Sequence, residues 1–180
     1  DVILLEAKLQ KLGHVDYVKN LSESQQIMLH QNAIQNFIPW SSVWKDNSIS
    51  TPCRVVFNAS LPTNSMVSLN DILAKGRNNM NKLVDILIRW RLHKYAFHTD
   101  IQKMYNAVQL VEEDWCLQRY IWHEQLDPKC IPEEKVIKTL IYGVKSSGNQ
   151  AEHALRMTAH LSKDDYPDAN NIVQNDIYVD

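Results

Sequence analysis

Two aspartates stand where a chain readily presents a carboxylate for chemistry. Tyr95-Ala96-Phe97-His98-Thr99 reads as a short strand delivering Asp100 at its carboxyl edge, and Ile177-Tyr178-Val179 does the same for Asp180. Brought together on neighbouring strands, the two would repel unless a cation lay between them, and hard divalent magnesium takes oxygen ligands of this kind. Such a pair suits two-metal phosphoryl or nucleotidyl transfer. Turn and helix-cap roles are the commoner use of an aspartate after a strand, and both readings stay open on the residues alone.

Other chemistries fail on spacing. Gly143 and Gly148 have the first half of a phosphate-loop pattern, but Asn149-Gln150 stands where Lys-Ser/Thr should supply charge and a magnesium ligand. No GxGxxG, HExxH or GxSxG occurs in the sequence. His93 with His98 and His153 with His160 lack zinc spacing and read as ordinary surface or core histidines. A Ser/His/Asp triad, which assembles in space, stays open. Cys53, Cys116 and Cys130 form no CxxC pair, which disfavours a disulfide framework and a zinc knuckle and favours a reducing, intracellular compartment. Asn20-Leu21-Ser22 and Asn58-Ala59-Ser60 match the glycosylation pattern by coincidence on that reading.

The elements that must position these residues follow from composition and periodicity. The 180 residues are 44% hydrophobic and 22% charged, within the globular range and far from disorder. Only four glycines occur, so folds built on many tight backbone turns are disfavoured. Net charge is −2, yet residues 61–94 carry six basic and two acidic side chains and residues 95–180 carry eight and fourteen. Lys75, Arg77, Lys82, Arg89, Arg91 and Lys94 could therefore meet phosphates, or form a solvated face. No apolar run approaches a membrane span, and Asp1-Val2-Ile3-Leu4-Leu5 lacks the basic start of a signal peptide. Leu5, Leu9 and Leu12 suggest a first helix ending near Gly13; residues 22–44 fit no single pattern. Cys53–Phe57 reads as a strand, and Met80, Leu83, Val84, Leu87 and Ile88 make 79–91 a helix. Strands are expected at 94–99, 116–122, 135–142 and 172–179, and a helix over Ser147–Leu161. The start on Asp1 and the stop on Asp180 read as the ends of a fragment.

Several ordered motifs add a resemblance. Arg54-Val55-Val56-Phe57-Asn58-Ala59-Ser60, Val67-Ser68-Leu69-Asn70-Asp71-Ile72-Leu73, Arg91 to Tyr105, Tyr142-Gly143-Val144 and Tyr178-Val179-Asp180 resemble a reverse transcriptase of the Bel/Pao class of retrotransposons. The match runs from about Trp40, or from the first helix, to the end. It implies an α+β fold: the fingers and partial palm of a right-hand polymerase, with an antiparallel palm sheet packed on helices. Fingers would span 1–92 and return at 115–145; palm would span 93–114 and 146–180, cut within the Tyr-x-Asp-Asp box.

The resemblance implies roles residue by residue. Asp100, the carbonyl of Ile101 and Asp180 would hold two magnesium ions, with manganese as an alternative, for attack of a primer 3′-hydroxyl on a deoxynucleoside triphosphate. Tyr105 would underlie the sugar and exclude a 2′-hydroxyl. Arg54 would reach the triphosphate, and Tyr142, Gly143 and Lys145 would form the loop under the nucleotide. Lys75, Arg77, Arg91 and Lys94 would lie near phosphates of an RNA or DNA template and its primer. Partners would include the thumb, RNase H and integrase of a pol polyprotein, in the cytoplasm within a virus-like particle. Three departures stand out: Asn58 where the family has aspartate, Gly148-Asn149 where it has proline and an apolar residue, and Asn106 for a longer side chain. A chain stopping at Asp180 is expected to have little polymerase activity, and robust Asp100-dependent primer extension by it would overturn that. A degenerate relic that only binds nucleic acid is a second reading; a two-metal nuclease is a third.

Overall fold

The computed structural model describes residues 14–31, 35–45, 52–123 and 129–178, arranged as two units. The expected helix around Leu5–Leu12, together with Val179 and Asp180, lies outside the described residues. The first unit takes the chain up to Leu73 and again from Tyr105 to Lys145; the second takes Ala74–Met104 and the chain from Ser146.

A three-stranded antiparallel sheet organises the first unit. Strand β1 (Val15–Tyr17) precedes helix α1 (Glu23–Gln31), whose start is fixed reciprocally: Gln25 N–H donates to Ser22 Oγ at 3.3 Å, and Ser22 N–H donates to Gln25 Oε1 at 3.1 Å. Strands β2 (Trp40–Trp44) and β3 (Cys53–Phe57) form an antiparallel hairpin with Trp40 opposite Phe57. Helix α2 (Leu69–Ile72) is short. In the second unit, helix α3 (Leu83–Trp90) follows. The chain then returns to the first unit with strands β4 (Arg119–Trp122) and β5 (Glu133–Ile137). Strand β5 is central, between β1 and β4, both antiparallel to it.

Alternation along β5 divides the core. Ile137 packs with Val15, Ile38, Phe57, Leu69, Tyr120 and Trp122, while its neighbour Val136 packs with Val18, Leu21, Leu29, Trp115 and Cys116 on the opposite face. Both faces of β5 are buried, which makes a lysine costly there, and aromatic rings offset that cost: Lys135, 1% exposed, lays its ammonium over the Tyr17 ring at 4.0 Å and the Trp122 ring at 4.9 Å. Arg119, also 1% exposed, donates to Glu134 Oε1 at 2.6 Å and Gln35 Oε1 at 2.7 Å, with its guanidinium 4.3 Å from the Phe37 ring centroid.

Helix α2 carries a capping box. Asp71 N–H donates to Ser68 Oγ at 3.2 Å, and the Ser68 hydroxyl and N–H donate to Asp71 Oδ2 at 2.7 and 2.9 Å. The Ser68 hydroxyl, then its N–H, hold the Asp71 carboxyl below the ordinary aspartate value of 3.8, with the Lys145 charge adding to the effect. Because the folded form binds its proton less readily than the unfolded chain, this contribution is complete above that ordinary value and is lost as pH falls through the folded one. Ser68→Ala should raise the Asp71 midpoint, followed by carbon-detected NMR, and cost about 1 kcal/mol in urea unfolding; an unmoved midpoint would refute the assignment.

The second unit is helical: α3, α4 (Ser147–Leu161) and α5 (Pro167–Asn175). Arg156 of α4 pairs with Glu152 at 2.9 Å and donates to the carbonyls of Gln174 at 2.7 Å and Asn79 at 3.1 Å. Arg89 pairs with Asp176 at 2.6 Å and bonds the Asn175 carbonyl, while Asn81 donates to the carbonyls of Gln174 and Ile177. Cations and amides thus hold the carbonyl end of α5, where the helix dipole favours positive charge.

The expected strand at Cys53–Phe57 and the helix at Ser147–Leu161 form with those bounds; the helix expected over 79–91 forms only from Leu83 to Trp90, and of the strand expected over 135–142 only residues 135–137 are strand, as the end of β5, while 138–142 lead into the turn at Gly143. Residues 116–122 split into the end of a 3-10 helix (Glu112–Leu117) and β4. Two expectations are corrected. Of the strand expected over 172–179, the described residues 172–178 form none: Pro167 opens α5 at its first turn, and Ala169, Ile172 and Val173 repeat at helical spacing, which overrides the β-branched content. Residues 94–99 are not a strand either; no strand among the described residues pairs with them, and Tyr95 and Phe97 are 79% and 78% exposed. The chain is therefore α+β with small antiparallel sheets, and the palm sheet that these two segments were to build does not form among the described residues. No helix among them is long and apolar enough to cross a membrane.

Candidate nucleotide-binding site

The turn after Ile141 is built on glycine. Gly143 has φ +94°, in the region that side chains disfavour, and a Cβ there would lie 2.5 Å from the Phe57 carbonyl oxygen. The turn thus lies directly against the end of β3. Beside Gly143, the exposed Tyr142 ring meets the Tyr105 ring at 4.3 Å between centroids, tilted by 47°. Tyr105 begins a 3-10 turn (Tyr105–Ala107) in the same unit.

Asn70 ties the turn down. Its Nδ2 donates to the Gly143 carbonyl and to Ser60 Oγ, both at 2.8 Å, and its Oδ1 accepts from Lys145 N–H at 2.8 Å. Lys145 Nζ donates to the Asn70 carbonyl at 3.0 Å. Asn58, where an aspartate was expected, does the turn work of one: its Oδ1 accepts Ser60 N–H at 3.1 Å while its own N–H donates to Pro39. An aspartate's charge is not needed for that bond.

Of the residues singled out from sequence, Tyr105, Tyr142, Gly143 and Lys145 come together. Arg54 is exposed on β3 opposite Val43, on the strand face away from the Phe57 ring, and its guanidinium makes no hydrogen bond or ion pair among the described residues. Asn70 stands in the sequence without a role attached; the signal was the Ser68-x-x-Asp71 capping pattern that fixes it on a helix turn.

Asp100 and Ile101 belong to the second unit, both exposed on a segment without regular structure. Asp100 makes no hydrogen bond or ion pair among the described residues, so its oxygens are unengaged, and with the Ile101 carbonyl it offers hard donors of the kind magnesium takes. No group of three or more His, Cys, Asp or Glu among the described residues could hold a metal ion, and Asp180 lies outside them. Lys75, Arg77, Arg91 and Lys94 are exposed in the second unit; the Arg77 carbonyl accepts from Asn149, and Lys94 Nζ sits 5.3 Å from the Tyr95 ring centroid. Arg89, read as one of the same basic group, is instead engaged with Asp176.

Neither a protein-family model nor a curated protein sequence matches the chain.

Proposed function

We propose that the chain is the fingers and part of the palm of a reverse transcriptase of the Bel/Pao class, an enzyme that when intact extends a primer with deoxynucleotides on an RNA or DNA template. One juxtaposition carries the reading: Tyr105, Tyr142, Gly143 and Lys145, drawn from separate motifs, meet beside the end of the strand that bears Arg54. An aromatic ledge, a glycine turn and two cations are the parts a deoxynucleoside triphosphate needs. The chain also alternates between two units and crosses after Lys145, where the second fingers segment was expected to end, while its other crossings, after Leu73 and Met104, fall short of the expected 92 and 114. Asp100, the Ile101 carbonyl and Asp180 would hold magnesium, which when bound activates the primer hydroxyl and neutralises the phosphates. Arg54 contributes a planar, permanently charged fork to the triphosphate. Tyr105 sits under the sugar, and Lys75, Arg77, Arg91 and Lys94 face nucleic-acid phosphates. The remaining partners are the thumb, RNase H and integrase of a polyprotein working in the cytoplasm.

Titration of the chain with magnesium, a primer–template duplex and then dTTP or UTP tests this. dTTP is expected to bind in a duplex-dependent way, about tenfold tighter than UTP, and Tyr105→Ala should bring the two close to parity. Duplex binding with no triphosphate binding would overturn the polymerase reading in favour of a nucleic-acid-binding relic.

A further inference from the structure

We propose that Asn70 is a positioning residue: its side-chain amide holds the turn from Tyr142 to Lys145 in the shape through which that turn meets a triphosphate. This rests on the polymerase reading of the same site. The amide spans Val144, donating to the carbonyl of Gly143 before it and accepting from the N–H of Lys145 after it, both at 2.8 Å. Its orientation is dictated by these partners: flipped, it would set NH₂ against the Lys145 N–H and oxygen against the Gly143 carbonyl. The second Nδ2 hydrogen goes to Ser60 Oγ, the Asn70 backbone N–H to the Ala59 carbonyl at 3.0 Å, and the Asn70 carbonyl accepts Lys145 Nζ.

Every N–H of Asn70 is therefore committed to protein and both its oxygens are engaged by Lys145, which marks the residue as one that acts through the turn. Three segments meet on it: Ala59–Ser60 after β3, helix α2, and the glycine turn. The turn needs such a brace, because Gly143 at φ +94° has an unusually wide choice of backbone conformations once the brace is removed. The capping box of Ser68 and Asp71 around Asn70 fixes the brace in turn. Aspartate cannot substitute, since an ionised carboxylate has no hydrogen to give Gly143 or Ser60.

Asn70→Ala and Asn70→Asp, each compared with the unaltered chain, separate positioning from folding. Expected in both variants are at least roughly tenfold faster hydrogen exchange at the Lys145 amide, as a local opening brings, unchanged exchange at Val136, and about tenfold weaker dTTP binding in the presence of magnesium and duplex, of the size a lost hydrogen bond brings. Affinity for the duplex alone should not move. Unchanged Lys145 exchange would overturn the proposal, and so would faster exchange with dTTP affinity intact. If neither variant folds, Asn70 is a folding residue and the proposal falls. If the unaltered chain binds no dTTP, the polymerase reading fails with it, and that result is distinct because it appears before any substitution.

Discussion

Gly143→Ala should destabilise the first unit by about 3 kcal/mol, among the larger effects available to a single methyl group. Two costs add. A residue with a Cβ held at positive φ loses on the order of 1–2 kcal/mol relative to glycine. The new carbon would also lie 2.5 Å from the Phe57 carbonyl oxygen, well inside van der Waals contact. That oxygen is backbone at the end of β3, where Phe57 is paired with Trp40 and its ring packs edge-on to Tyr120 at 5.3 Å, so it retreats only by disturbing the hairpin and the core together. Gly76 supplies the control. It too has positive φ, but its Cβ would meet the Asn149 side chain, whose Oδ1 and Cγ can turn aside only by giving up the bond to the Arg77 carbonyl and whose Cβ lies 3.1 Å away. Gly76→Ala should therefore cost the conformational term plus an exposed hydrogen bond, about 2 kcal/mol. Thermal unfolding followed by circular dichroism reads both, with a fall of roughly 10 °C or more expected at Gly143. Equal losses at the two glycines would show that the Phe57 carbonyl does not confine the turn.

Arg119→Ala should cost about 3 kcal/mol by three routes at once. The side chain is buried, so its removal leaves a void lined by the β4–β5 face. Glu134 loses a cation at 2.6 Å and Gln35 loses a donor at 2.7 Å, although Glu134 stays partly hydrated and recovers some of the loss. The Phe37 ring loses the guanidinium lying 4.3 Å from its centre. Arg119→Lys keeps charge and most of the volume but cannot reach Glu134 and Gln35 with one planar fork, so about 1–2 kcal/mol is expected. Urea unfolding of the two variants, with Glu134→Gln to close a double-mutant cycle, apportions the effect. An alanine variant within 1 kcal/mol of the parent would mean that the buried fork contributes little beyond what water could replace.

Local patterns in this chain were legible wherever one strong signal governed. Pro52 and the β-branched pair Val55-Val56 gave β3, and the proline-free run of residues 147–161 gave α4. Where two signals conflicted, the reading went astray. At residues 167–178, β-branched residues argued for a strand, but proline at the first helical position and apolar residues at 169, 172 and 173 prevailed. At 94–99 the alternation was strand-like, yet a strand requires a partner, and the segment expected to supply one is partly helical. The candidate site was half legible. Tyr105, Tyr142, Gly143 and Lys145 were picked out by their motifs, but Asn70 braces them by bonds to residues more than seventy positions away, which no spacing rule anticipates. The ion pair of Arg89 was hidden for a similar reason, since its partner Asp176 is distant in the chain.

The interleaving of the two units also sets a timetable for synthesis. The central strand of the first unit, β5, is translated last of its sheet, after the whole 74–104 excursion and well after β1, the hairpin and α2. At ribosomal rates of roughly 5–20 residues per second, β1 waits on the order of ten seconds for the strand that pairs with it. During that interval Val15, Ile38 and Phe57 lack Tyr120, Trp122 and Ile137, the later-made half of the core they share, and stay open to water.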